Sequence, residues 1–218
     1  MSNQPLPHYF ELRHTQGTQG SNASGAAKTL HKQYAWMAGE SLLMAHHALT
    51  EHNQPVAVAF TQMKSGLFCN FGPVVRFYAP TTAGLAFVRE CLLASYDNEI
   101  QIAKTLELTE IATVPQDVVG WAQFLRYRVK AKQHADPVAY LEMMAKAQAY
   151  PLTYVPSSST GQMVPLQVMV RLVPKSEEHN IVARPNGYGL ASKNQFRGDA
   201  RICATPVFTG DALASKFC

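Results

Sequence analysis

The chain lacks most of the patterns that assign a function at sight. Its four cysteines form no C-x-x-C pair, which argues against a zinc ribbon or a redox motif. Its eight histidines include no H-E-x-x-H motif, so neither a metal nor another cofactor is predicted. No apolar run approaches the roughly 18 residues of a membrane span, and the polar N-terminus is no secretory signal. These absences predict a cytoplasmic protein with no membrane partner.

What is present fits a folded protein with a weak preference for anionic partners. The chain has 218 residues, of which 47% are hydrophobic, enough for one large domain or two small ones. Its net charge is +4 and its pI is about 8.9. This mild basicity is compatible with a nucleic-acid partner and does not require one.

Strand and helix periodicities alternate along the first half of the chain. Residues 15–27 are rich in Gly, Ser and Thr and predict a flexible loop. The remaining order is strand, helix, strand, strand, helix, strand, at residues 8–14, 28–51, 56–60, 74–78, 82–95 and 108–114. That order is the split βαβ arrangement of a ferredoxin-like unit.

The second half is less regular. Residues 125–132 and 166–173 predict strands, and 137–149 predict a helix. Pro115 and the turn after it predict a boundary. The expected fold class is therefore α+β, with a ferredoxin-like (RRM/RAMP-like) domain over residues 1–115 and a less regular α+β domain over 116–218.

Four cations alternate along the predicted strand at 125–132. Side chains two residues apart share one face of a strand, so this face would carry a row of positive charge, and the apolar residues between would face a core. Such a row suits a phosphate backbone. It could equally protect an exposed sheet edge from aggregation, although the single nearby acid, Asp136, favours nucleic acid. The four residues are Arg126, Arg128, Lys130 and Lys132.

Three motifs carry candidate chemistry. Ser157-Ser158-Ser159-Thr160-Gly161-Gln162 can present several hydroxyls from one tight loop, and Gly187-Tyr188-Gly189 can present a phenol at close approach. His46 and His47 lie on the first helix about 100° apart around its axis. Both flank the apolar stripe, so periodicity does not choose between them. A serine acting as covalent nucleophile is disfavoured, since the chain has no G-x-S-x-G elbow.

Several of these segments resemble a known family. The matching segments in the second half are 151–153, 157–162, a strand ending in Arg171, Tyr188-Gly189-Leu190, and Pro206-Val207-Phe208. In the first half, Ala45-His46-His47-Ala48-Leu49 followed by 56–60 also matches. With these motifs in this order, the chain resembles the CRISPR-associated repeat-processing endoribonucleases of type I-F, the Csy-type branch of the Cas-six family.

The resemblance implies roles for individual residues. His46 falls on the family's catalytic histidine, Ser157 on the serine that holds the attacking hydroxyl, and Tyr188 on the active-site tyrosine. Arg128 and Lys130 fall on the pair that contacts bases. Ser159 and Thr160 fall in the family's substrate-binding loop. The other predicted RNA-binding residues are Arg126, Lys132, Ser158, Gln162, Arg171, Lys193 and Arg197. One departure is that the predicted helix 137–149 contains a single cation, Lys146, where the family has an arginine-rich helix.

The implied activity is metal-independent cleavage of precursor CRISPR RNA within the repeat hairpin. The RNA's own 2′-hydroxyl attacks, leaving a 2′,3′-cyclic phosphate. The enzyme then stays on the hairpin as a subunit of a guide-RNA effector complex, and is a monomer outside it. One alternative is a structural hairpin-binding subunit with weak or no catalysis. Another is an unrelated ferredoxin-like domain that binds a small ligand.

Overall fold

The computed structural model describes residues 6–15, 23–97, 105–116, 118–127, 145, 147–157, 160–191 and 202–217. These residues form a mixed α+β fold of antiparallel sheets and two helices, in agreement with the predicted class. Among them, no helix is both long and apolar enough to cross a membrane.

The first sheet comes from the first half of the chain. Strands β1 (His8–His14), β2 (Ala57–Ala59), β3 (Val74–Ala79) and β4 (Leu106–Leu108) form it in the order β2-β3-β1-β4, and every pairing is antiparallel. A short fifth strand, β5 (Ala112–Thr113), also pairs with β1. The helices α1 (Ala23–His52) and α2 (Thr82–Asp97) connect these strands.

Helix α1 ends at a defined backbone turn. Asn53 follows the last helical residue with φ of 51°, the left-handed conformation that asparagine tolerates better than most residues. The N–H of Asn53 then donates to the carbonyl of Leu49, and the N–H of Gln54 donates to that of Ala48. With Asn53 in the left-handed conformation, the first of these bonds is that of an αL capping motif, and Pro55 directly afterwards cannot continue the helix.

The second sheet comes from the second half of the chain. Strands β6 (Gly120–Tyr127), β7 (Leu152–Pro156), β8 (Met163–Val173) and β9 (Thr205–Val207) form it in the order β7-β8-β6-β9. Two short 3-10 turns lie at Lys175–Asn180 and Ala214–Lys216. Strands β7 and β8 form a hairpin whose tip is the hydroxyl-rich segment 157–162.

A single hydrophobic cluster joins the two sheets. It contains Phe77 of the first sheet, Leu42 of α1, Val155 and Val168 of the second sheet, and Leu213 near the C-terminus. The boundary at residue 115 falls between β5 and β6, and the division into two domains stays a prediction. The tail beyond β9 is part of this core rather than an appendage.

Several boundaries differ from those read from the sequence. Helix α1 begins at Ala23, so the prediction of a flexible loop over 15–27 is wrong from that residue on. Alanine is the best helix former, and residues 23–27 include three alanines beside the serine and glycine that favoured a loop. Strand β6 begins at Gly120, five residues before the predicted start. Residues 128–132 and most of 137–149 lie outside the described residues.

The predicted strand 108–114 is divided in two. Leu108 pairs with Leu12, and Ala112 pairs with Tyr9. Between these pairs β1 advances three residues while its partner advances four, so one extra residue is accommodated as a bulge. The N–H of Thr109 donates to the carbonyl of Glu11, and the Thr109 hydroxyl accepts from the N–H of Glu11, which stabilises the bulge.

Candidate active site

Close packing of α1 on β7 sets the frame of the site. A Cβ at Gly39 would lie 2.7 Å from the carbonyl oxygen of Tyr154 and 2.8 Å from Oγ1 of Thr153, so only glycine permits this approach. The Thr153 hydroxyl also donates to the carbonyl of Ala35, one turn earlier on the helix. Ala35, Gly39 and His46 are spaced by four and seven residues and share one helix face. The face that packs on β7 therefore also carries His46.

A tight turn at residues 186–190 approaches the same part of α1. The Asn186 N–H donates to the carbonyl of Leu190, and the Gly189 N–H donates to that of Asn186. Gly189 has φ of +72°, and a Cβ there would lie 2.7 Å from Cγ2 of Val58. Its carbonyl accepts from the N–H of Val58 at 2.9 Å, which ties the turn to the first sheet.

This turn holds the His46 ring through one nitrogen. Nδ1 of His46 lies 2.8 Å from the carbonyl oxygen of Gly187. A carbonyl oxygen can only accept, so Nδ1 carries a proton and donates. In a neutral ring Nε2 is then the atom with the free lone pair, and in a protonated ring Nε2 is an acid. Any proton transfer by this half-buried imidazole takes place at Nε2.

Tyr188 connects His46 to the hydroxyl-rich hairpin tip. Its ring stacks on the imidazole with the ring centroids 4.9 Å apart and an interplanar angle of 22°. Its hydroxyl donates to the carbonyl of Pro156 at 3.1 Å. Ser157 is the next residue. The histidine helix, the tyrosine turn and the serine loop, which are far apart in sequence, therefore meet in one place.

Two hydrogen bonds close the base of the hairpin tip. The Ser157 N–H donates to the carbonyl of Gln162, and the Gly161 N–H donates to the carbonyl of Ser157, both at 2.8 Å. Thr160 and Gln162 are exposed, and the Thr160 hydroxyl accepts from the Gln162 N–H at 3.4 Å. The tip therefore offers polar groups to solvent beside the half-buried stack of His46 on Tyr188. Ser158 and Ser159, also predicted to bind RNA, lie outside the described residues.

The structure separates the two adjacent histidines that periodicity could not separate. His47 lies 2.7 Å from Glu51, one turn later on α1, and its side chain is 39% exposed. His46 instead contacts Gly187 and Tyr188. Of the two rings, only His46 is seen in contact with the other predicted site residues.

The predicted RNA-binding residues are only partly brought to this place. Arg171 pairs with Glu177 and stands eight residues along β8 from Met163, which is about 26 Å at the rise of an extended strand. Arg126 lies opposite Val168, a core residue, so it shares the core-facing side of the sheet. Tyr127 lies on the other side, where Trp121 and Leu125 are also buried, and contacts Tyr150. Both faces of this strand therefore pack on apolar residues, and the prediction that the cations line a free face is not supported at Arg126. Five predicted contacts lie outside the described residues: Arg128, Lys130, Lys132, Lys193 and Arg197.

Three residues that support the site were missed in the sequence. Asn186 organises the tyrosine turn, and the Asn-Gly pair it forms with Gly187 is a turn signal that could have identified it. Gly39 interrupts a helical pattern, and such a glycine usually has a packing reason. Thr153 acts through a backbone carbonyl on another element, which no sequence pattern reveals. Within the described ranges, no group of three or more His, Cys, Asp or Glu side chains is arranged to hold a metal ion.

No family model matches the chain, and no curated protein matches it at a significant level.

Proposed function

We propose that this protein is an endoribonuclease that cleaves RNA by internal transesterification. The observation that carries the proposal is the stack of His46 on Tyr188, with the Tyr188 hydroxyl bound to the carbonyl just before Ser157. A proton-transfer group and a loop of hydroxyls then flank one position. RNA brings its own nucleophile, the 2′-hydroxyl, so the protein has only to orient that group and move protons.

The reaction needs two proton movements. The 2′-oxygen forms a bond to phosphorus and loses its proton, the bond from phosphorus to the 5′-oxygen breaks, and the 5′-oxygen gains a proton. Ser157 hydrogen-bonds the 2′-hydroxyl and fixes its direction. Nε2 of His46 serves either as base for the 2′-hydroxyl or as acid for the 5′-oxygen. The products are a 2′,3′-cyclic phosphate and a 5′-hydroxyl.

The particular substrate we propose is the repeat hairpin of precursor CRISPR RNA, cut as in the type I-F enzymes that the sequence resembles. After cleavage the protein remains on the hairpin as a subunit of a guide-RNA effector complex. The exposed Thr160 and Gln162 would contact the RNA near the cut. Arg126, Arg128, Lys130, Lys132, Arg171, Lys193 and Arg197 would contact its backbone or bases elsewhere along the hairpin.

The topology of the first sheet supports a finer assignment of fold. We propose that β1, α1, β2, β3, α2 and β4 form a ferredoxin-like unit. The element order is that of a split βαβ motif. The observed sheet order β2-β3-β1-β4, antiparallel throughout, is what two such crossovers produce. This unit is common among RNA-binding domains and among others, so it supports the function without selecting it.

The decisive test uses synthetic CRISPR-repeat hairpin RNAs in buffer with EDTA and no added metal. We expect the protein to cut one of them and to leave a cyclic phosphate. The same RNA with a 2′-deoxy nucleotide at the cut should bind with unchanged affinity and stay whole. Cleavage of the deoxy substrate at the normal rate would reject the mechanism.

Two substitutions locate the proton-transfer group. His46→Ala should slow cutting by about 10²–10⁴-fold, the usual contribution of general acid–base catalysis, with hairpin affinity retained. His47→Ala is the matched control, because this ring is exposed and paired with Glu51, and it should cut as the unsubstituted protein does. If His47→Ala stopped cutting while His46→Ala cut normally, His47 would be the proton-transfer group.

A modified leaving group distinguishes base from acid. A 5′-bridging sulfur leaves without needing a proton, so it bypasses general acid catalysis. If His46 is the acid, His46→Ala should cut this RNA nearly as fast as the unsubstituted protein does. If it is the base, the defect should persist. Tight hairpin binding with no cutting of any substrate would instead favour a structural subunit, and no binding at moderate salt would favour a small-ligand domain.

A further inference from the structure

We propose that Asn186 is a positioning residue for His46, acting through the single peptide group that joins Gly187 to Tyr188. This inference rests on the proposed function and extends it to a residue that neither the sequence motifs nor the family resemblance identified.

Hydrogen bonds hold that peptide group at both of its ends. Its N–H, which belongs to Tyr188, donates to Oδ1 of Asn186 at 2.9 Å. Its carbonyl oxygen, which belongs to Gly187, accepts from Nδ1 of His46 at 2.8 Å. The result is a continuous chain of hydrogen bonds from the asparagine amide, through one peptide, to the imidazole.

Peptide geometry makes the two bonds interdependent. A peptide group is planar, and its N–H and C=O point in opposite directions across the C–N bond. An acceptor that fixes the direction of the N–H therefore also fixes the direction of the carbonyl. Because hydrogen bonds in a chain polarise one another, the bond to Asn186 also increases the negative charge on the Gly187 oxygen. Both effects favour a proton on Nδ1 and keep Nε2 available.

The orientation of the Asn186 amide follows from its neighbours. Oδ1 accepts a second N–H, that of Leu190, at 3.2 Å, and two backbone donors can be met only by the oxygen of the amide. Nδ2 lies on the other side, 3.5 Å from the carbonyl of Ala191. In many catalytic sites a third group, such as a carboxylate, orients the base. Here the neutral amide of Asn186 would orient the imidazole of His46 through a peptide group.

A second asparagine provides a matched control. Oδ1 of Asn70 accepts the N–H of Gly72 at 2.9 Å, which is the same bond to the residue two positions later that Asn186 makes with Tyr188. The Asn70 turn makes no recorded contact with His46. Asn70→Ala therefore removes an equivalent turn bond without touching the proposed chain.

The first measurement needs no RNA. Long-range ¹H–¹⁵N spectra at mildly alkaline pH distinguish the protonated from the unprotonated nitrogen of a neutral histidine ring, and His46→Gln assigns the signal. We expect Nδ1 of His46 to be protonated in the unsubstituted protein and in Asn70→Ala. In Asn186→Ala a mixture of both tautomers should appear. Asn186→Asp keeps an acceptor oxygen in place and should restore the single tautomer.

The second measurement is cleavage of the hairpin RNA under single-turnover conditions. Asn186→Ala should cut about tenfold more slowly with hairpin affinity within twofold, since loss of orientation affects the chemical step more than binding. Asn186→Asp should recover most of that rate, and Asn70→Ala should cut normally. Thermal melting shows whether each variant is folded. If Asn186→Ala folds poorly, the test depends on the His46 tautomer in Asn186→Asp.

The two proposals fail in different ways. If Asn186→Ala retains one tautomer and cuts at the normal rate while His46→Ala does not cut, the positioning role is overturned and the ribonuclease survives. If Asn186→Asp is as disturbed in its spectrum as Asn186→Ala, the acceptor oxygen is not what matters and the proposal is also overturned. If no RNA is cut but the tautomer responds to Asn186 as expected, the ribonuclease fails and the hydrogen-bond chain to His46 stands.

Discussion

Two polar bridges connect the first sheet and its helix α1 to the second half of the chain, and they differ in how completely their groups are satisfied. The charge bridge consists of Glu11, Arg76, Tyr78 and Asp211. The histidine bridge consists of His46, Gly187, Tyr188 and the carbonyl of Pro156. Both join residues far apart in sequence, 135 positions for Arg76 and Asp211 and 141 for His46 and Gly187.

The charge bridge is buried and saturated. Nη1 and Nη2 of Arg76 form a fork with the two carboxylate oxygens of Asp211, both at 2.9 Å, while Nε donates to Glu11 at 2.7 Å. The guanidinium also lies 3.9 Å from the ring centroid of Phe208. Burial raises the pKa of Tyr78 well above its usual value, so the phenol keeps its proton and donates to the carbonyl of Pro206.

The histidine bridge also contains a tyrosine hydroxyl, but its polar groups are satisfied less completely. Tyr188, like Tyr78, donates to a prolyl carbonyl, and it also stacks on a ring that is held through one nitrogen. The imidazole is half-buried, and its second nitrogen is not part of the hold. A bridge whose polar groups are all hydrogen-bonded can only stabilise the fold. A bridge in which one imidazole nitrogen stays available can also transfer a proton. We therefore expect the first bridge to stabilise the fold, while the proposed chemistry would take place at the second.

Arg76→Met should have the largest effect on folding, because it leaves the buried Asp211 without its cation and leaves Glu11 with only the half-exposed Arg13. Removing one partner from a buried ion pair lowers the free energy of unfolding by about 3–5 kcal/mol. Urea titration of the variant measures this loss. Arg89→Met is the control, since its partner Glu110 is 89% exposed and such pairs contribute about 0–1 kcal/mol. Equal stability of the two variants would contradict the structural role of the charge bridge.

Gly39→Ala should have an intermediate effect, and it should lower both the free energy of unfolding and the rate of RNA cleavage. The new methyl group would contact the backbone of β7 at Tyr154, so α1 and β7 must separate. Overpacking costs about 1–3 kcal/mol, partly offset by the better helix propensity of alanine. Because the same packing carries His46 and the serine loop, RNA cleavage should slow as well.

A second glycine controls for helix propensity. At Gly84 of α2 the absent Cβ would lie 3.2 Å from Cβ and 3.3 Å from Oε1 of Gln54, a looser fit than at Gly39, so Gly84→Ala should cost much less stability than Gly39→Ala. Unfolding and single-turnover cleavage are measured on both variants. A Gly39→Ala protein that unfolds and cuts like Gly84→Ala would show that the close approach of α1 to β7 does not matter.

The comparison also shows what the sequence can reveal about the fold. Strand β1 has the predicted bounds, and β3 and α2 differ from theirs by one or two residues at a single end, because each has a clear period and a turn residue beside it. The bulge between β4 and β5 could not be predicted. It depends on a count of residues in a partner strand almost a hundred positions away.

The candidate site was accessible from sequence only in part. Family resemblance selected His46, Ser157 and Tyr188, and the fold brings their segments together, while their roles stay predictions. Asn186 and Gly39 were not selected, because each acts on a backbone group of another residue. The charge bridge was missed for a related reason: no pattern at Arg76 indicates that its partners lie in β1 and near the C-terminus.

The smallest expected effect concerns His14, an imidazole that contacts the other end of α1. It is buried beside Tyr34 and bonded through Nε2 to Gln33, and its Nδ1 has no partner among the described residues. Burial lowers its pKa below 6.5 despite the opposing bond to Gln33.

The unfolded chain then binds a proton at a higher pH than the folded protein does. Stability that is fully present above pH 6.5 is lost as the pH falls below that value. His14→Gln should flatten this loss in unfolding measured from neutral to mildly acidic pH. A slope equal to that of the unsubstituted protein would show that this buried ring does not contribute to the pH dependence of stability.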